Sequence, residues 1–206
     1  MNLVISPIAV ENFFRENQIP ARFTEHEIEQ LDSARPAGRE GFTSFPTPSD
    51  SQHLSVLGLR GLLGTVPGSS PYIFFDHPWY LEEAFGRTRC RAGWHTLRMA
   101  PLPGSFDEPV NYADSLLPER LYLPQASEVI LMLFLNLGVA GERLLLRKHT
   151  WTEDRTAKGR FVSVGAFGEK GLFVSSHEVG YQSRGLGISP ATGTTGNDSR
   201  DLTNHD

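Results

Sequence analysis

The feature that most limits what this chain can fold into is its longest apolar stretch, residues 129–140, interrupted only by Asn136 and Gly138. A helix that crosses a bilayer needs about 20 such residues, so this stretch reads as a helix buried inside a protein. Ser127 is a suitable cap, which puts the helix over residues 128–137. A helix that is apolar on every side has to be covered on every side.

Composition allows that. Of 206 residues, 39% are hydrophobic and 21% charged, enough apolar surface for one domain with a core. The 20 glycines and 14 prolines favour short elements and many turns. A net charge of -5 gives no general attraction for phosphate backbones, so nucleic acid is not an expected partner. The single cysteine, Cys90, has no partner for an internal disulfide and belongs to no paired-cysteine motif. It is expected to be a small buried side chain. The first residues carry neither the basic segment nor the apolar run of a signal peptide, so a cytoplasmic location with no membrane partner is expected.

Ser6 followed by Pro7 starts a helix with Ile8, Phe13 and Phe14 inward. Thr24 and Glu27 stand at capping-box spacing, which predicts a helix from Glu25 to about Asp32 with Ile28 and Leu31 inward. Residues 1–32 thus form a helical arm, able to pack on the main body or to dock a protein partner. Residues 33–52 are rich in Ser, Pro, Gly and Thr and read as a linker. The main domain spans residues 53–189, and the polar segment 190–206 reads as a disordered tail. Within the main domain, residues 53–63 suggest a helix that Gly58 and Gly61 weaken by about 1 kcal/mol each. A short strand is expected at 72–75 and a helix at 79–85. Residues 93–99 read as a strand with Trp94, Thr96 and Arg98 on one face and His95 and Leu97 on the other. Segments 161–167 and 171–176 form a hairpin around Gly168, Glu169 and Lys170, and 185–189 adds a strand. The class is α+β: short N-terminal helices, a small mixed or antiparallel sheet with one strongly apolar helix, and a C-terminal hairpin region.

The chemistry-bearing motifs mostly fail. Gly58, Gly61 and Gly64 do not have dinucleotide-loop spacing, and no Lys-Ser/Thr pair follows. Ser163 lacks the first glycine of a nucleophile elbow. No two of the seven histidines stand four residues apart, so no helical metal pair forms. No cofactor is expected. The reading favoured is a non-enzymatic binding or interaction domain, with Trp79, Trp94, Arg98, Tyr181 and Arg184 as ligand contacts on a sheet and its loops. The alternative is a hydrolase or transferase using Asp76, His77 and His95 as acid–base or metal-binding groups. That composite requires the strands at 72–75 and 93–99 to be neighbours. Two basic clusters, Arg87, Arg89, Arg91 and Arg98 and then Arg143, Arg147 and Lys148, accompany Trp79, Trp94 and Trp151. They are expected to be solvated charge over core tryptophans rather than an anion-binding groove.

Pro78, Trp79 and Tyr80, the segment from Gly93 to Arg98, Pro124 with Glu128 and Val129, and segments 160–167, 171–174 and 185–188 follow one another in a recognisable order. In that order, over about residues 72–190, the chain resembles a group of uncharacterised bacterial proteins, which implies one coherent domain and no particular activity. The strand 161–167, the loop 175–184 and the final strand 185–189 are also similar to the closing segment of C-type-lectin-like modules of the formylglycine-generating-enzyme type. That similarity implies a binding scaffold with the loop 175–184 as its variable surface. With one cysteine, the chain lacks the cysteine pair that formylglycine formation requires.

Overall fold

The computed structural model describes residues 2–117 and 120–192. It is an α+β fold arranged around the apolar helix. The helix, α5, runs Ala126–Ala140, and every residue from Ala126 to Asn136 is buried. It starts two residues earlier than the sequence suggests. Gln125, not Ser127, is the cap residue, and its backbone N–H donates to Glu128 Oε2 at 2.8 Å. Gly141 ends the helix in the left-handed conformation that a side chain would resist.

Two small sheets enclose α5. The first is built from β1 (Leu3–Val4), β2 (Phe42–Thr47), β3 (Gly93–Arg98), β4 (Leu121–Tyr122) and, from late in the chain, β9 (Ala191–Thr192). Its order is β1-β2-β3-β9-β4, with β1 parallel to β2 and the remaining pairs antiparallel. The second contains β5 (His149–Arg155), β6 (Phe161–Gly168), β7 (Gly171–His177) and β8 (Leu186–Gly187), in the order β7-β6-β5-β8. Helix α5 lies against β2 and β3 on one side and β5 and β6 on the other. Its one buried amide, Asn136, is satisfied by the Thr43 hydroxyl at 3.0 Å and the Met132 carbonyl at 2.8 Å.

Three further helices close the core: α1 (Pro7–Glu16), α2 (Glu25–Ser33) and α3 (Val56–Leu63). The four-residue α4 (Ala113–Leu116) belongs to a smaller cluster on the far face of the second sheet, where Val110 and Ala113 meet Trp151, Phe161, Leu186 and Ile188. Ser6 caps α1 as expected, but Ile8 is 58% exposed. The inward stripe is Pro7, Val10, Phe13 and Phe14, the three-to-four spacing that starts from Pro7. Thr24 and Glu27 form the expected capping box of α2, and Ile28 and Leu31 pack on the core.

Several expectations are corrected. Within the stretch read as a linker, residues 33–52, lies β2, buried along its whole length and paired on both sides. Pro46 is tolerated because β1 ends opposite Ser44, so the flank of β2 beyond it has no partner to miss a donor. Residues 79–85 form no continuous helix. Two single 3-10 turns, Pro78–Tyr80 and Ala84–Arg87, stand there instead. Of the expected strand at 72–75 only a bridge between Phe74 and Leu172 forms, in the second sheet. The segment read as a tail contributes β9, inserted between β3 and β4; residues 193–206 lie outside the described residues. Strand β5, unanticipated, pairs with both β6 and β8. The hairpin of β6 and β7 stands where the glycine signal put it.

Candidate functional site

The alternation of β3 sends His95 and Leu97 inward and Trp94 and Thr96 to the opposite face, where α2 and the segment after it arch over the first sheet. Between them is a groove of about 670 Å³, within the size range of small-molecule sites. Glu27, Gln30 and Leu31 of α2 line one wall, and Thr47, Ala92, Gly93, Trp94 and Thr96 the floor. Arg35, Pro36 and Arg39 close one side; Arg120, Leu121 and Thr192 close the other. Trp94 is 8% exposed, and its indole N–H donates to the Leu31 carbonyl at 2.9 Å. That bond ties α2 to the sheet and fixes the indole as a rigid wall. The Thr96 and Ser44 hydroxyls, 2.9 Å apart, satisfy each other beside it.

Behind this floor lies a buried polar cluster. The His95 ring sits between Glu128, whose Oε1 is 3.1 Å from Nδ1, and Cys90, whose Sγ is 3.7 Å from Nε2. The Arg91 carbonyl is 2.9 Å and the Thr47 hydroxyl 2.8 Å from the same Nε2. Burial opposes the imidazolium, yet Cys90 and Glu128 on its two sides outweigh that and hold His95 protonated well above its usual range. Burial likewise opposes the Glu128 carboxylate, but the His95 ring, the Gln125 N–H and Arg91 keep it below its ordinary value. Arg91 continues the network outward to Glu153. At the start of α5, Asp154 accepts from the Ala126 N–H at 2.6 Å, and burial lifts its carboxyl to about 6. These groups join the first turn of α5 to the loop that leads into β3.

A second cluster lies on the outer face of the second sheet. Ser163 Oγ stands 3.1 Å from His177 Nε2 and 3.5 Å from His149 Nδ1. Burial and the nearby His177 depress His149 to about 4, and burial and Arg160 lower His177. Both imidazoles are therefore neutral at physiological pH.

The residues singled out in the sequence are scattered over these places. Trp94 is in the groove. Trp79 is packed with Tyr80 and Phe85 and donates to the Val174 carbonyl at 2.9 Å. Arg98 lies over the Phe42 ring and bonds the Ala100 carbonyl. Tyr181 stacks on His177 at 4.3 Å, and Arg184 offers its carbonyl to Lys148. Asp76 pairs with Arg60 at 2.7 Å, and His77 precedes the turn Pro78–Tyr80. The strand neighbourhood required to join Asp76 and His77 to His95 does not form: Phe74 bridges to the second sheet, whereas β3 is in the first. Among the described residues no group of three or more His, Cys, Asp or Glu side chains is placed to hold a metal ion, and no helix is long and apolar enough to cross a membrane.

Arg35, Arg39 and Arg120 escaped the sequence reading because they sit in segments with no periodicity. Only the chain path past the unforeseen strands β2, β4 and β9 brings them together. No protein-family model, curated protein or solved structure matches this chain.

Proposed function

We propose that this chain is a non-enzymatic binding domain whose ligand, a small organic molecule, occupies the groove between α2 and the first sheet. The observation that carries the reading is the groove itself: about 670 Å³, floored by a regular strand and walled by an indole held in place by its own hydrogen bond. Binding residues on rigid elements need little ordering when the ligand arrives. Leu31, Pro36, Trp94 and Leu121 supply apolar surface, and polar side chains from α2, the segment after it and the sheet stand beside it to orient a ligand.

Ala92 gives the direct test, because it is exposed and lines the groove without touching the core. Ala92→Trp puts an indole into the groove. The variant is expected to melt at the wild-type temperature but to lose the rise in melting temperature that ligands from a small-molecule panel give the wild type. An undiminished rise in Ala92→Trp places the binding site elsewhere.

A further inference from the structure

We infer that the ligand of this groove is an organic anion, an apolar body carrying a carboxylate or a phosphate. This rests on the groove being the binding site and adds the charge of what it binds. Three arginines, Arg35, Arg39 and Arg120, line the groove against a single carboxylate, Glu27. That carboxylate is already engaged. It accepts from the Thr24 N–H at 2.7 Å, the Thr24 hydroxyl at 2.9 Å and the Ser49 N–H at 2.8 Å.

The arginines are not engaged in the same way. Among the described residues, no carboxylate lies within ion-pair distance of any of the three, whereas Arg60, Arg87, Arg91 and Arg160 each have an acidic partner. Arg35 spends one N–H on the Val4 carbonyl at 3.3 Å, and the Arg39 guanidinium rests on the Phe42 ring at 4.4 Å. A guanidinium has five donors, and stacking on a ring leaves its edge free. In a chain of net charge -5, three such cations around one groove run against the overall balance. The forked donors match carboxylate and phosphate oxygens in geometry as well as charge. Trp94 and Leu31 then face the remainder of the molecule.

The test uses three probes of one shape, 1-naphthoate, 1-naphthyl phosphate and the neutral 1-naphthamide, titrated calorimetrically into the full chain. At least one of the anions is expected to bind ten-fold or more tightly than the amide, and the tighter of the two identifies the charged group. Arg35→Ala/Arg39→Ala/Arg120→Ala is expected to erase that preference while melting like the wild type, since all three side chains are exposed. If the amide binds as tightly as both anions, the groove is a binding site but the anion inference falls. An anion preference that survives in the triple variant overturns it too. If none of the probes binds the wild type, the reading of the groove fails along with the inference.

Discussion

His149 shows how a single side chain can set the acid limit of the fold. Its imidazole, packed against the second sheet near Ser163 and His177, is depressed from 6.5 to about 4 in the native state. Above pH 6.5 it is neutral whether folded or unfolded and contributes nothing to pH dependence. Below that, the unfolded chain takes up a proton that the folded chain refuses, so stability falls as pH drops from 6.5 toward 4. The loss approaches about 3 kcal/mol for this one group, and the depressed His177 adds to it in the same direction. Asp154, raised to about 6, acts in the opposite sense over the same range, so the His149 contribution is read as a difference: in urea unfolding at pH 7, 6, 5 and 4 the wild type is expected to lose more stability toward acid than His149→Asn. An equal slope in the variant assigns the acid sensitivity to other groups. The His95–Glu128 pair is built in the opposite sense, with both members kept charged, and it persists across neutral pH. None of this was legible in the sequence. The partners of His95 are Cys90 on the preceding loop and Glu128 on another element, and only the packing of α5 against β3 makes them neighbours.

At the level of elements, what could be read were the pieces whose signals are local. The caps at Ser6 and Thr24, the face alternation of β3 and the hairpin of β6 and β7 each depend on residues a few positions apart. Among the elements that could not be read were β2, β4 and β9, whose pairing is long-range and whose composition is that of loops. The groove inherits that blindness: Trp94 lies on a legible strand, whereas its arginines lie on illegible segments. The hairpin also carries a sharp packing constraint. Gly171 has φ +103°, and a Cβ there would lie 2.6 Å from the backbone carbon of Phe74. Gly171→Ala is therefore expected to cost about 3 kcal/mol or more in chemical denaturation, from strain and overpacking together. Gly180→Ala, where a Cβ meets nothing within 4 Å, is the control and is expected to be nearly neutral. Equal effects at both positions remove the close approach of Phe74 as the cause.

On the scale of the whole molecule, α1 behaves as part of the core. Val10, Phe13 and Phe14 are buried in the same cluster as α5, and Phe13 meets Tyr72 edge to face at 5.1 Å. Burying three such side chains is worth roughly 6 kcal/mol, comparable with the entire stability of an ordinary domain, about 5–15 kcal/mol. A chain lacking residues 1–32 is expected to show no cooperative transition by calorimetry. A sharp transition near the wild-type temperature establishes the arm as dispensable to the fold. The strand order of the first sheet has one more consequence, for biosynthesis. The ribosome makes β3 long before β9, yet β9 pairs directly with it and supplies Thr192 to the groove. Until residues 191 and 192 have left the exit tunnel, one edge of β3 stays open and β4 has no neighbour. The nascent chain therefore cannot complete its groove before nearly all of the domain has been translated, and ribosome-bound chains stalled short of Thr192 are left with an unpaired strand edge.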